Sequence, residues 1–187
     1  MLKIVSQEEI GALVSDQAVI TILLSRSMNA EFLRWLYSSW DEINRIAGKR
    51  WHIVVPSHSG DWLYTSGTMS VRDFNTALST DIANSYGIRP DEFPCLLFED
   101  FCEDAPPISI SIPHDERERT KFVDDFAKLI ADIERPPLLP WRWQKRRSVN
   151  AMIATALRKK RLGSVAFRIL PQVAGALAKF GFRRAAG

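Results

Sequence analysis

Short apolar runs alternate with stretches of helical spacing along this chain, and that pattern sets most of the expected architecture. Val19-Ile20-Thr21-Ile22-Leu23-Leu24 is β-branched and lacks strict polar alternation, as a strand covered on both faces would. Trp51-His52-Ile53-Val54-Val55 reads as another strand, ended by Pro56. Between them, Leu33, Leu36, Trp40, Ile43 and Ala47 recur three or four residues apart. That spacing predicts one helix from Ser27 or Asn29 to about Ala47, with Gly48 as its stop. Upstream, Leu2-Lys3-Ile4-Val5 suits a short edge strand, and the capping pattern Ser6-Gln7-Glu8-Glu9 predicts a helix to about Val14.

Residues 57–69 read as an irregular loop. A second capping pattern, Ser70-Val71-Arg72-Asp73, precedes a stripe of Phe74, Leu78, Ile82 and Tyr86, and Gly87 is expected to close that helix. Pro94 leads into the apolar run Cys95-Leu96-Leu97-Phe98. An acidic turn with Glu99, Asp100, Glu103 and Asp104 then leads to Pro107-Ile108-Ser109-Ile110-Ser111-Ile112. These two runs read as an antiparallel hairpin. A final helix opens at Asp115, carries Phe122, Phe126, Leu129, Ile130 and Ile133, and stops at Pro136 and Pro137. The order β-α-β-α-β-α-β-β-α predicts an α/β fold with a mixed central sheet flanked by helices.

Charge divides the chain. Residues 141–187 carry twelve Lys or Arg and no Asp or Glu, whereas the first 140 hold all 22 acidic residues and a net charge of −9. The expected organisation is a domain over 1–134, a proline- and tryptophan-containing linker over 135–147, and a basic helical extension over 148–187. Trp141 and Trp143 in the linker suit anchoring on the domain, a lipid interface or base stacking. In the extension, Ser148 caps a helix striped by Met152, Ile153, Ala156 and Leu157 and ending in Arg158-Lys159-Lys160-Arg161. Gly163 permits a break, Val165, Phe167 and Leu170 follow, and Pro171 can restart a helix. Such an extension can close over the acidic domain, engage a protein partner, or meet an anionic membrane surface or nucleic acid. The opening residues lack a signal-peptide core and no run is long enough for a membrane span, so a cytoplasmic address is expected.

Tyr86-Gly87-Ile88 followed by Phe93-Pro94-Cys95-Leu96-Leu97-Phe98, together with Ile4-Val5-Ser6-Gln7-Glu8-Glu9 and the element order, resembles the thioredoxin-like superfamily over about residues 2–134. The resemblance implies a thioredoxin-like scaffold with Pro94 in the family's cis-proline position. It also implies a redox cysteine pair just after Val19–Leu24, where this chain reads Ser25-Arg26-Ser27-Met28-Asn29-Ala30. Dithiol exchange needs an attacking thiolate and a resolving thiol, and serine replaces neither. Ordinary disulfide reductase activity is therefore not expected.

Cys95 is the sharper thiol candidate, active only if exposed and if its thiolate is stabilised; otherwise it is a small packing residue. Cys102 lies across the predicted hairpin. His52, His58 and His114 have no metal-ligand spacing, Ser57-His58-Ser59-Gly60-Asp61 reads as a hydrogen-bonded turn, and no cofactor is expected. Arg26, Ser27, Met28 and Asn29 suit a small binding surface at a helix start, where free backbone donors and Arg26 attract an anion. Phe93 and Pro94 are separate binding candidates, since the resemblance implies a peptide-binding groove bordered by Pro94. The expected function is a non-redox binding or adaptor protein whose basic tail engages a protein partner or anionic surface. The alternatives are an atypical thiol oxidoreductase using Cys95 and a nucleic-acid-binding protein acting through the tail.

Overall fold

A computed structural model describes residues 2–4, 6, 19–48, 51–58, 70–98, 107–133 and 167–170. Its strands are β1 (Leu2–Ile4), β2 (Val19–Leu24), β3 (Trp51–Pro56), β4 (Cys95–Phe98), β5 (Ile108–Ser111) and β6 (Phe167–Ile169). Its α-helices are α1 (Ala30–Ser38), α2 (Trp40–Ala47), α3 (Thr76–Ser85) and α4 (Glu116–Ile133). The sheet order is β1-β3-β2-β4-β5-β6. β3 pairs in parallel with β1 and β2, while β4 pairs antiparallel with β2 and β5. This is the mixed, helix-flanked sheet that the hydrophobic pattern predicts.

The burial of β2 shows why its sequence does not alternate. Val19 and Leu23 belong to one core, with α1, α2 and α4, and Ile20, Ile22 and Leu24 to the other, with α3. Both faces are apolar because helices cover both. Thr21 is the polar exception, and its hydroxyl oxygen accepts from Trp51 Nε1 at 2.9 Å. β5 does alternate: Ile108 and Ile110 fill the first core, while buried Ser109 stands out of register with them.

Two helical expectations are revised in detail. The helix expected from Ser27 or Asn29 to Ala47 is two helices, separated at Ser39. Ser39 N–H still makes the ordinary helical bond to the Trp35 carbonyl, but Ser38 Oγ donates to that same carbonyl, a side-chain bond of the kind that bends or interrupts helices. The Ser70 capping box forms, but around a 3-10 turn, Val71–Asp73. Phe74 is drawn into a β-bridge with Ser57 and the first core, and α3 opens two residues later, where Asn75 Oδ1 accepts from Leu78 N–H at 2.9 Å. Gly87 closes α3 as expected: it has φ 63, its N–H reaches the Asn84 carbonyl, and Ile88 N–H reaches Ala83. These two bonds satisfy the last carbonyls in a Schellman arrangement.

The interval between the two helices expected in the extension supplies an edge strand. β6 pairs antiparallel with β5, and Leu170 just beyond it is buried in the second core. The helix expected after Ser6, the acidic turn with Cys102, the linker and both extension helices lie outside the described residues.

Candidate functional site

The antiparallel register of β2 and β4 brings together two segments far apart in sequence. Leu24 pairs with Cys95, so the residues leaving β2 run beside those leading into β4. There the Arg26 guanidinium lies 4.7 Å from the centre of the Phe93 ring, a cation–π contact. The Phe93–Pro94 peptide is cis. Ser25 is fixed from behind: its N–H donates to Ser79 Oγ at 3.0 Å, and that hydroxyl donates to the Ser25 carbonyl at 2.9 Å. Thus α3 holds the end of β2 in place.

Ser27–Asn29 form a 3-10 turn running into α1, and neither the turn nor α1 has a side-chain cap bond. Its leading N–H groups therefore carry the partial positive charge of a helix start. Arg26 Nε and Asn29 Nδ2 are sequestered without hydrogen-bond partners, as is Ser25 Oγ. Met28 is 80 % exposed and is the exposed large hydrophobic residue of the described chain. An exposed flexible thioether beside a cation and an uncapped helix start offers contact, charge and adaptable packing.

Cys95 lies on the adjacent β4 but is fully buried. Burial pushes its thiol up to about 12; neighbouring Glu92 adds to the rise, while Ser109 and Arg168 oppose it. The thiol reading required exposure and a stabilised thiolate, and both conditions fail. In a Cys102→Ser background, Cys95 in the folded chain is expected to react with a thiol reagent on the order of a thousandfold slower than in the unfolded chain near neutral pH. Comparable rates would overturn this. Because the folded value is raised, the protonated thiol contributes stability below the ordinary thiol range, and that contribution is lost as pH rises toward 12.

Two arginine sites escaped the sequence reading. Arg119 is 3 % exposed, stacks near Phe32 and Trp35, and donates from Nε to the Pro113 carbonyl at 3.0 Å and from its terminal amine to the His114 carbonyl. Its signal was legible, since it falls three residues before Phe122 on the buried stripe of α4. The second is Arg168, which lies 3.0 Å from Glu92 Oε1 and donates to the Gly87 carbonyl at 2.6 Å. The same carboxylate oxygen accepts from Arg89 Nε at 3.1 Å and Arg89 N–H at 3.2 Å. Glu92 is thereby a nearly buried carboxylate held by two guanidinium groups.

Ser57 Oγ and His58 N–H both donate to the Asp73 carbonyl, so the start of the Ser57–Asp61 stretch ties β3 to the turn before α3. Among the described residues, no group of His, Cys, Asp and Glu could hold a metal ion, and no helix is long and apolar enough to cross a membrane. Trp141, Trp143, Arg158, Lys159, Lys160 and Arg161 lie outside the described residues. No family model, curated protein or solved structure matches this chain.

Proposed function

We propose that this chain is a non-redox binding or adaptor protein on a thioredoxin-like scaffold. The strand order, the cis Phe93–Pro94 bond and the cysteine-free Ser25–Ala30 segment support the scaffold reading. The observation that carries the binding reading is Arg26 held over Phe93 beside the 80 % exposed Met28. This surface occupies the position where the resemblance would place a redox pair. Its partner is a protein surface with an apolar contact for Met28 and a carboxylate for Arg26 and the uncapped helix start. The basic extension, with Trp141, Trp143 and Arg158–Arg161, adds an electrostatic contact to the partner or to an anionic surface, in a cytoplasmic setting.

Purifying the intact chain and identifying what copurifies tests this reading. A protein in fixed stoichiometry is the expected result. Nucleic acid or acidic lipid alone would contradict it and assign the basic extension as the site of action.

A further inference from the structure

Met28 is the exposed large hydrophobic side chain among the described residues, and no residue of its turn, Ser27–Asn29, is buried. A small dissolved oxidant therefore reaches its sulfur without any change in fold. The other sulfur described, that of Cys95, is fully buried. Oxidation of a thioether turns a flexible apolar side chain into a polar one, and dedicated reductases reverse it. The surroundings suit the oxidised form. Arg26 Nε and Asn29 Nδ2, on either side of Met28 along the chain, have no hydrogen-bond partner, and no side chain caps the turn or α1. A sulfoxide oxygen is an acceptor, and this stretch holds donors without acceptors.

We propose that Met28 is a reversible oxidation site, with a peroxide as oxidant, that switches the β2–β4 surface from apolar to polar, an inference that rests on that surface being the docking site. The sulfur lone pair attacks one peroxide oxygen. The S–O bond forms as the O–O bond breaks, and the second oxygen leaves as water with the proton of the transferred one. Sulfur loses two electrons and the peroxide gains them. The added oxygen sits at the surface, outside both buried cores, so the fold persists and the change is confined to the contact that Met28 offers. An apolar pocket that accepts the thioether must then desolvate a sulfoxide, and affinity falls. In the reverse step a thiol-dependent reductase restores the thioether: two thiols become a disulfide and the oxygen leaves as water.

Hydrogen peroxide treatment of the full chain beside Met28→Leu tests this, because Met1, Met69 and Met152 remain in both. Peptide mapping by mass is expected to show Met28 oxidised within about threefold of the rate of free methionine. A rate more than about tenfold slower would overturn the proposal. The oxidised full chain is expected to keep a cooperative melt and to elute earlier from a phenyl column. Met28→Leu should lack that shift, and methionine sulfoxide reductase with dithiothreitol should reverse it. An equal shift in Met28→Leu, or an unfolded product, would overturn the switch without any partner being needed. With the copurifying protein as probe, peroxide is expected to weaken binding to the full chain about fivefold or more. The affinity of Met28→Leu, whatever its starting value, should be the same before and after treatment. Undiminished affinity of the oxidised full chain overturns the switch alone when Arg26→Glu/Met28→Asp binds weakly, and the docking site as well when that variant binds normally.

Discussion

Phe126→Ala is expected to lower the unfolding free energy by about 3–5 kcal/mol. Phe126 is 1 % exposed on α4, at the point where three other rings converge. Its centroid lies 4.6 Å from Phe122, 5.7 Å from Phe98 and 6.2 Å from Trp51. It therefore fastens α4 to both β4 and β3. Truncation removes the ring's buried area and leaves a void lined by side chains already packed, which relax only partly. Domains of this size hold only about 5–15 kcal/mol in total, so the variant should be marginal. Urea unfolding of the full chain measures the loss directly. A loss below about 1 kcal/mol would mean that α4 is not seated as described.

Leu170→Asp is expected to cost about 2–4 kcal/mol and to increase binding of an apolar dye. The size of this effect separates a docked extension from one that hangs free. Leu170 packs with Ile88, Phe93 and Leu97 at the end of a strand held by Arg168 and Glu92. A carboxylate there cannot remain charged and buried without a partner, so the strand releases. Release caps the loss at the strand's docking free energy, and for this reason the effect is smaller than that of Phe126→Ala. An unchanged melting curve would contradict docking of residues 167–170.

What the sequence disclosed follows from the range of the forces involved. Helix ends were legible where short-range chemistry decides them, as at Gly48 and Gly87, both with positive φ. The double-faced β2 was legible because covering a strand on both faces leaves an apolar run without strict alternation. The break at Ser39 was not, since the apolar stripe continues through it and only Ser38 and Ser39 mark the change. The capping box at Ser70 was correctly placed, but a local motif cannot say whether a 3-10 turn or a long helix follows it.

The candidate surface was partly legible for the same reason. Arg26, Met28 and Asn29 stood out because a helix start after a buried strand is a local feature. Their meeting with Phe93 depends on the β2–β4 register, which no local pattern fixes. Cys95 carried no sign of its burial beyond sitting in an apolar run. The Glu92–Arg168 contact spans a long and charge-mixed sequence interval, so nothing singled out that pair from many others.

The most direct measurement is the affinity of the copurifying protein for the full chain and for Arg26→Glu/Met28→Asp. Neither position belongs to the buried cores, so the variant is expected to stay folded, with a loss of about 0.5–2 kcal/mol from the Arg26–Phe93 contact. At least a tenfold loss of affinity is expected, equivalent to about 1.4 kcal/mol or more. Unchanged affinity in a folded variant, with the loss appearing instead on charge reversal at Arg158, Lys159, Lys160 and Arg161, would contradict the β2–β4 surface as the binding site.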